Sequence, residues 1–313
     1  MGPTPDRRDF LGLLLGGAAG LVLPSTALGQ RPGTSTTALA VTPLSDNLIH
    51  LSAGGWNVIA AVGPESVLMV NGGSEEHSPA LLATVAGLAG GKKVQYLFNT
   101  DWHREHTGAN EALAKNGATI IAHERTKEYL GAEIYVDWQK QTYPPLPTAA
   151  LPNRTFYTSD KMAFGTERVE YGHLGQAHTD AAIYVHFPVA NLLVAGGALS
   201  VGKYPIADYT TGGWLGGLLA ANKTLLALTN ADTRVVPAAG PIQTRADLQA
   251  QHDMLAAIMD RLPKMMKQGF GPDDILAAAP TKEFDAQWGN PDLFVTTTCR
   301  GLWLHVRELG GIV

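Results

Sequence analysis

A chain of 313 residues with 45% hydrophobic and 16% charged side chains, 35 Gly, 19 Pro and a single Cys reads as a globular protein. That balance excludes collagen-like, coiled-coil, disordered and disulfide-scaffold classes. Twenty-three Lys and Arg against 28 Asp and Glu leave a net charge of −5 with no basic run, so nucleic acid is not an expected partner.

The first 29 residues differ from the rest. Arg7-Arg8-Asp9-Phe10-Leu11 leads into an apolar run over 11–23, and Pro24-Ser25-Thr26-Ala27-Leu28-Gly29 follows with small residues suited to cleavage. The run is shorter than the ~20 residues that cross a bilayer, so no membrane attachment is expected of the mature form. The paired arginines resemble a twin-arginine signal, which implies export of a folded chain to the periplasm; an ordinary secretory signal or a lipid-facing anchor is the alternative. Residues 30–313 then form one domain. Cys299 stands alone and can close no intramolecular disulfide.

From residue 30 onward, strand-like and helix-like segments alternate. Short apolar runs at 47–51, 56–62 and 67–70, broken by Gly-Gly and Gly-Pro, read as strands. Ser78-Pro79 opens a helix that carries Leu81, Leu82, Val85 and Leu88 and stops at Gly90-Gly91. A buried strand at 94–98 runs into Asn99-Thr100-Asp101. A helix at 109–115, a strand at 119–122 and a helix at 124–130 follow, with His123 placed to cap the last. Four prolines make 143–152 a loop. Strands at 168–171, 182–187, 192–195 and 234–237 and long helices at 214–228 and 244–266 complete the reading. Thr244 and Asp247 resemble a capping box with Asp in place of Glu. Such alternation implies helices covering sheet faces, an α/β layered domain.

Two segments carry chemistry. Asp101, His103, Glu105 and His106 place two carboxylates and two imidazoles within six residues directly after a strand, where side chains can converge on one cation. A polar turn with a surface histidine pair is the alternative. Ala177-His178-Thr179-Asp180 lies between later strands, and His178 is either a further ligand or a hydrogen-bonded loop histidine. No Gly-x-Gly-x-x-Gly occurs, and Ser200 sits in a poor copy of a nucleophile elbow, so phosphate-loop and serine-hydrolase chemistry are not expected. Trp138, Tyr204, Asp208, Tyr209 and Trp214 can line a mouth over the site or serve in ordinary packing.

Strand, His/Asp-rich loop, helix, Ala-His-Thr-Asp and hydrophobic hairpin together resemble the metallo-β-lactamase superfamily. The resemblance implies an α/β fold, the four-layer αβ/βα sandwich, with metal held by loops at one edge. Against the family motif His-x-His-x-Asp-His, this chain has Asp101, His103, Glu105 and His106, and His178 falls on the next metal-binding histidine. Asn71 replaces an aspartate before Gly72-Gly73. Gly197 falls where a bridging aspartate is usual and Ala239 where a last histidine is usual, so a two-ion site is not expected.

What the resemblance leaves is one ion, zinc or alternatively iron or manganese, on Asp101, His103 and His178. Glu105 and His106 are expected as catalytic groups, Glu105 orienting a ligand or taking a proton from water and His106 donating to an oxyanion. The expected partner is a small-molecule substrate. Three functions stay open: an exported hydrolase of an ester, lactone or lactam; a non-catalytic binding protein that has lost the two-ion site; and a metalloprotein with redox or transfer chemistry.

Overall fold

In a computed structural model, residues 39–53 and 55–308 are described, so the signal-like segment 1–29 lies outside the described residues. The first sheet starts with β1 (Ala40–Pro43), β2 (Leu48–Ala53), β3 (Trp56–Val62) and β4 (Val67–Val70), paired antiparallel in sequence order. After helix α1 (Ser78–Leu88), β5 (Val94–Phe98) joins parallel to β4, because a helical crossover returns the chain to the same end of the sheet. Two short helices, α2 (Arg104–Thr107) and α3 (Asn110–Lys115), lead to β6 (Thr119–His123), also parallel. Helix α4 (Glu124–Leu130) and a hairpin of β7 (Ile134–Val136) and β8 (Gln141–Tyr143) precede β9 (Arg154–Phe156), which completes the seven-stranded sheet beside β6.

The second sheet has five strands in sequence order: β10 (Ser159–Phe164), β11 (Glu167–His173), β12 (Ile183–Phe187), β13 (Leu192–Gly196) and β14 (Arg234–Pro237). Its first four strands pair antiparallel. The last pairs parallel to β13 because α5 (Leu215–Ala227) carries the crossover. Helix α6 (Arg245–Lys267) then covers the sheet, followed by α7 (Pro272–Ala278), α8 (Asp285–Trp288) and α9 (Asp292–Glu308).

Side-chain alternation builds the layers. In β3, Ile59 and Ala61 face the second sheet while Val58 and Ala60 face α1; in β13, Leu192 and Val194 face the first sheet while Leu193 and Ala195 face α5 and α6. Phe98, Ile121, Tyr171, Val185 and Phe187 fill the space between the sheets. Leu81 and Val85 of α1 cover one outer face, and Leu218, Leu225, Leu255 and Ile258 of α5 and α6 cover the other. Each such burial contributes about 1.5–3 kcal/mol. The result is helix, sheet, sheet, helix, as the resemblance implied.

The expected strands and helices form with ends moved by a few residues, and the Thr244–Asp247 capping box is present on α6. Two readings need correction. The loop at 143–152 contains a turn of 3-10 helix at Thr148–Ala150, and residues 104–107 of the chemistry-bearing segment are helical rather than loop. The stretch after α6, which carried no element in the sequence reading, holds α7, α8 and α9. No helix among the described residues is long and apolar enough to cross a membrane.

His123 caps α4, its Nδ1 accepting from Arg125 N at 3.2 Å, and its ring stacks on His173 with centroids 3.8 Å apart. Burial, then the neighbouring His173 ring, depresses His123 to about 4. The unfolded chain therefore binds a proton there from about pH 6.5 downward while the folded chain does not, so stability falls as pH drops from about 6.5 toward 4. His123→Asn keeps a capping acceptor. Denaturant titrations near pH 5.5 are expected to show about one proton fewer taken up on unfolding than in wild type; equal slopes would refute this.

Candidate metal centre

β5 ends by carrying Leu97 and Phe98 into the core, and Asn99 to His103 follow as a fully buried polar segment. Its backbone must therefore find protein partners. Asn71 Oδ1 accepts from both Thr100 N and Thr100 Oγ1 at 3.0 Å, and Thr100 O accepts from Ile183 N at 2.9 Å, which ties the segment to both sheets. Asn71 sits at φ 66, a left-handed conformation that Asn tolerates. Asn99 and Asn110 exchange amide hydrogen bonds at 2.9 and 3.0 Å beneath α2. Gly196, at φ +55, lets the end of β13 approach: a Cβ there would lie 2.9 Å from Thr100 Cβ.

Asp101 is the hub. Its Oδ1 accepts from His103 N at 2.9 Å and lies 3.1 Å from His103 Nδ1 and 2.7 Å from His106 Nδ1. Asp101 Oδ2, His103 Nε2 and His106 Nε2 are buried and have no hydrogen-bond partner among the described residues. His178 arrives from the β11–β12 connection, its ring centroid 4.8 Å from that of His103. Its Nδ1 donates to Ile206 O at 2.5 Å, which leaves the Nε2 lone pair open. One ligand atom from each of Asp101, His103 and His178 lies within 4.8 Å of the others.

Charge follows from this packing. Burial alone would raise the Asp101 carboxyl, but His106 and His103 outweigh it and hold it well below the usual carboxylate range. Burial likewise opposes charge on His103, yet Asp101, then Asp208 and Glu105, raise it to about 9. His178 is lowered by burial and by the neighbouring His103. A positive charge is thus favoured among these three residues. Two imidazoles, one carboxylate and buried ligand atoms without partners suit a divalent cation.

Asp208 was read only as a candidate for the mouth. It is fully buried instead, with Oδ2 3.8 Å from His103 Nε2. Trp138 Nε1 donates to its Oδ1 at 3.0 Å and Thr211 Oγ1 to its Oδ2 at 2.9 Å. At that distance the carboxylate makes no hydrogen bond to the ring and acts on His103 through its charge. Trp102 stacks on His103 at 4.5 Å, which local pattern did not flag. Of the other mouth candidates, Trp138 and Tyr204 line the pocket, Tyr209 bonds Asp137, and Trp214 stacks on His305.

A pocket of about 320 Å³ opens beside His103 and His178, at the small end of the ~300–1,000 Å³ range of ligand sites. Glu105 and His106 both line it. In the neutral His106 ring, the contact with Asp101 Oδ1 places the proton on Nδ1, so Nε2 accepts a proton and cannot give one. The expected oxyanion-donor role therefore requires the doubly protonated ring. Gly197 and Ala239 also line the pocket. A Cβ on Gly197 would lie 2.4 Å from His178 Cδ2, so the position lacking a carboxylate is filled by the imidazole itself.

Comparison with known proteins agrees with this architecture. The family model described as the metallo-beta-lactamase superfamily matches residues 53–239, more than half the chain. The chain belongs to the metallo-beta-lactamase superfamily. Among solved structures, it is similar to a metallo-beta-lactamase from Pontibacter korlensis, with 20% identity and a TM-score of 0.57 over 70% of this chain and 99% of that one. DIM-1 metallo-beta-lactamase aligns at 16% identity and TM-score 0.56 over 70% of this chain and 97% of its own. VMB-1 aligns at 16% and 0.57 over 72% and 99%. At these identities the superfamily likeness is one of fold.

Proposed function

We propose that this protein is a metal-dependent hydrolase of small acyl substrates, an ester, lactone or lactam, working with one ion held by Asp101, His103 and His178. The observation that supports it is the convergence of these three residues within 4.8 Å, beside a pocket that His103 and His178 line, with Asp101 Oδ2 buried and lacking a hydrogen-bond partner among the described residues. Leaving a buried polar atom unsatisfied costs about 1–3 kcal/mol, a cost that a bound cation removes. Zinc suits the donor set, as do iron and manganese. The ion would supply Lewis-acid activation of water and of the scissile carbonyl.

The chain's own groups do the rest. His178 is held in one tautomer by Ile206 O, and His103 is steadied between Asp101, Asp208 and the Trp102 ring. His106 fixes Asp101 through Nδ1. Glu105, on the pocket wall, takes the proton that the attacking water loses. Gly197 and Ala239 offer no ligand atoms, which favours one ion over two.

A panel of esters, lactones and lactams tests the reading. Turnover is expected to disappear on chelation and return with zinc, iron or manganese. Turnover that survives chelation, or none with any of the three ions, would refute it.

A further inference from the structure

The family match ends at residue 239, yet the pocket does not. Asn290, Leu293 and Phe294, from the start of α9 and the turn before it, form one of its walls together with Leu199, Val201 and Tyr204. This wall is held firmly. The Phe294 and Tyr204 rings stack with centroids 4.8 Å apart and 11° between planes. Tyr204 OH donates to Asp285 Oδ1 at 2.8 Å, and Tyr204 N donates to Trp288 O at 3.1 Å. At the other end of the loop, Ser200 N donates to Gln251 Oε1 at 2.8 Å, and Gln251 Nε2 donates to Ala198 O at 2.8 Å. Helices beyond the family match thus clamp the 198–206 loop at both ends.

The wall's chemistry is one-sided. Histidines aside, Glu105 and Lys203 are the charged side chains of the pocket lining. Glu105 sits with the metal ligands, and one lysine cannot neutralise a phosphate chain or a multiply charged ligand. Leu293 is left 45% exposed where it lines the pocket, an apolar surface that gains most by being covered with hydrocarbon.

We propose that the wall of Leu199, Val201, Leu293 and Phe294 is the binding site for the uncharged alkyl arm of the substrate, and that Leu293 sets the length of arm accepted. That the arm belongs to a substrate rests on the hydrolase reading; the alkyl site itself does not.

The test separates the two. The first measurement is binding to the full chain of a ladder of inert ketones, 2-butanone to 2-octanone, followed by quenching of tryptophan fluorescence, since Trp56 and Trp138 line the same pocket. Affinity is expected to rise roughly three- to fourfold per added methylene until the wall is covered. Leu293→Asp is expected to flatten that ladder, with the loss largest for 2-octanone, tenfold or more. Leu293 lies in the first turn of α9, where a carboxylate favours the helix, so the variant is expected to fold. The second measurement is hydrolysis of p-nitrophenyl acetate to octanoate by zinc-loaded protein. A ketone ladder that collapses in Leu293→Asp, with no ester cleaved, would sustain the alkyl site and count against these esters as substrates. Esters cleaved without preference for length, or the same ketone ladder in both proteins, would overturn the alkyl site.

Discussion

Replacing His103 or His178 with alanine is expected to lower bound metal from about one equivalent per chain to less than a tenth of that, measured by elemental analysis. Each residue supplies one of three ligand atoms that lie within 4.8 Å of one another, and no other such group of three occurs among the described residues. Gly197 and Ala239, which line the same pocket, carry no ligand atom. Turnover should fall by more than the roughly 10–100-fold typical of groups one step removed from a metal. Asp208→Asn, acting through His103 from 3.8 Å away, belongs to that milder class and should weaken metal affinity by about that factor. All three variants should keep a cooperative thermal transition, because the two sheets and their helical covers do not pass through the site. Full metal content in either alanine variant would remove the three-residue site from consideration.

Gly197→Asp, which puts a carboxylate where the superfamily usually has one, is expected to do harm. A Cβ at 197 would lie 2.4 Å from His178 Cδ2 and 2.8 Å from His178 Cγ, closer than side-chain atoms come. The imidazole must move, and it cannot move without losing the Nδ1 bond to Ile206 O at 2.5 Å that sets its tautomer. The variant should bind less than one equivalent of metal, not two, and lose about 1–3 kcal/mol of stability as an overpacked position does. Adding Ala239→His, at the half-buried edge of the pocket beside Trp56, does not relieve the contact and should not raise the metal content. Two equivalents of metal in the double variant, with an unchanged melting temperature, would show that this scaffold still positions a two-ion centre.

Much of the fold could be read from the chain because its strands alternate within themselves. Val58 to Ala61 and Leu192 to Ala195 each divide cleanly between two apolar surroundings, and a run of that kind marks a strand buried on both faces. Asp101, His103 and His178 stood out as candidate ligands because residue type and order carry that signal, and the structure brings their side chains together. What stayed hidden depends on contacts between distant segments. Asp208 meets His103 across more than 100 residues, and nothing local to Ala207-Asp208-Tyr209 marks it as more than a turn. Leu293 and Phe294 look like any first turn of an amphipathic helix, and only the stacking of Phe294 on Tyr204 brings them to the pocket. Gly197 reads as a lost ligand, yet its lack of a side chain is what admits the His178 ring.

The crowding of Asp101 by His103 and His106 bears on how the centre takes up an ion. With the carboxylate ionised and His103 carrying a proton up to about pH 9, the centre balances its own charge before any ion arrives. A divalent ion taken up there at neutral pH would displace that proton, so loading would release it to solvent. The acidity of the medium would then govern how readily the centre fills.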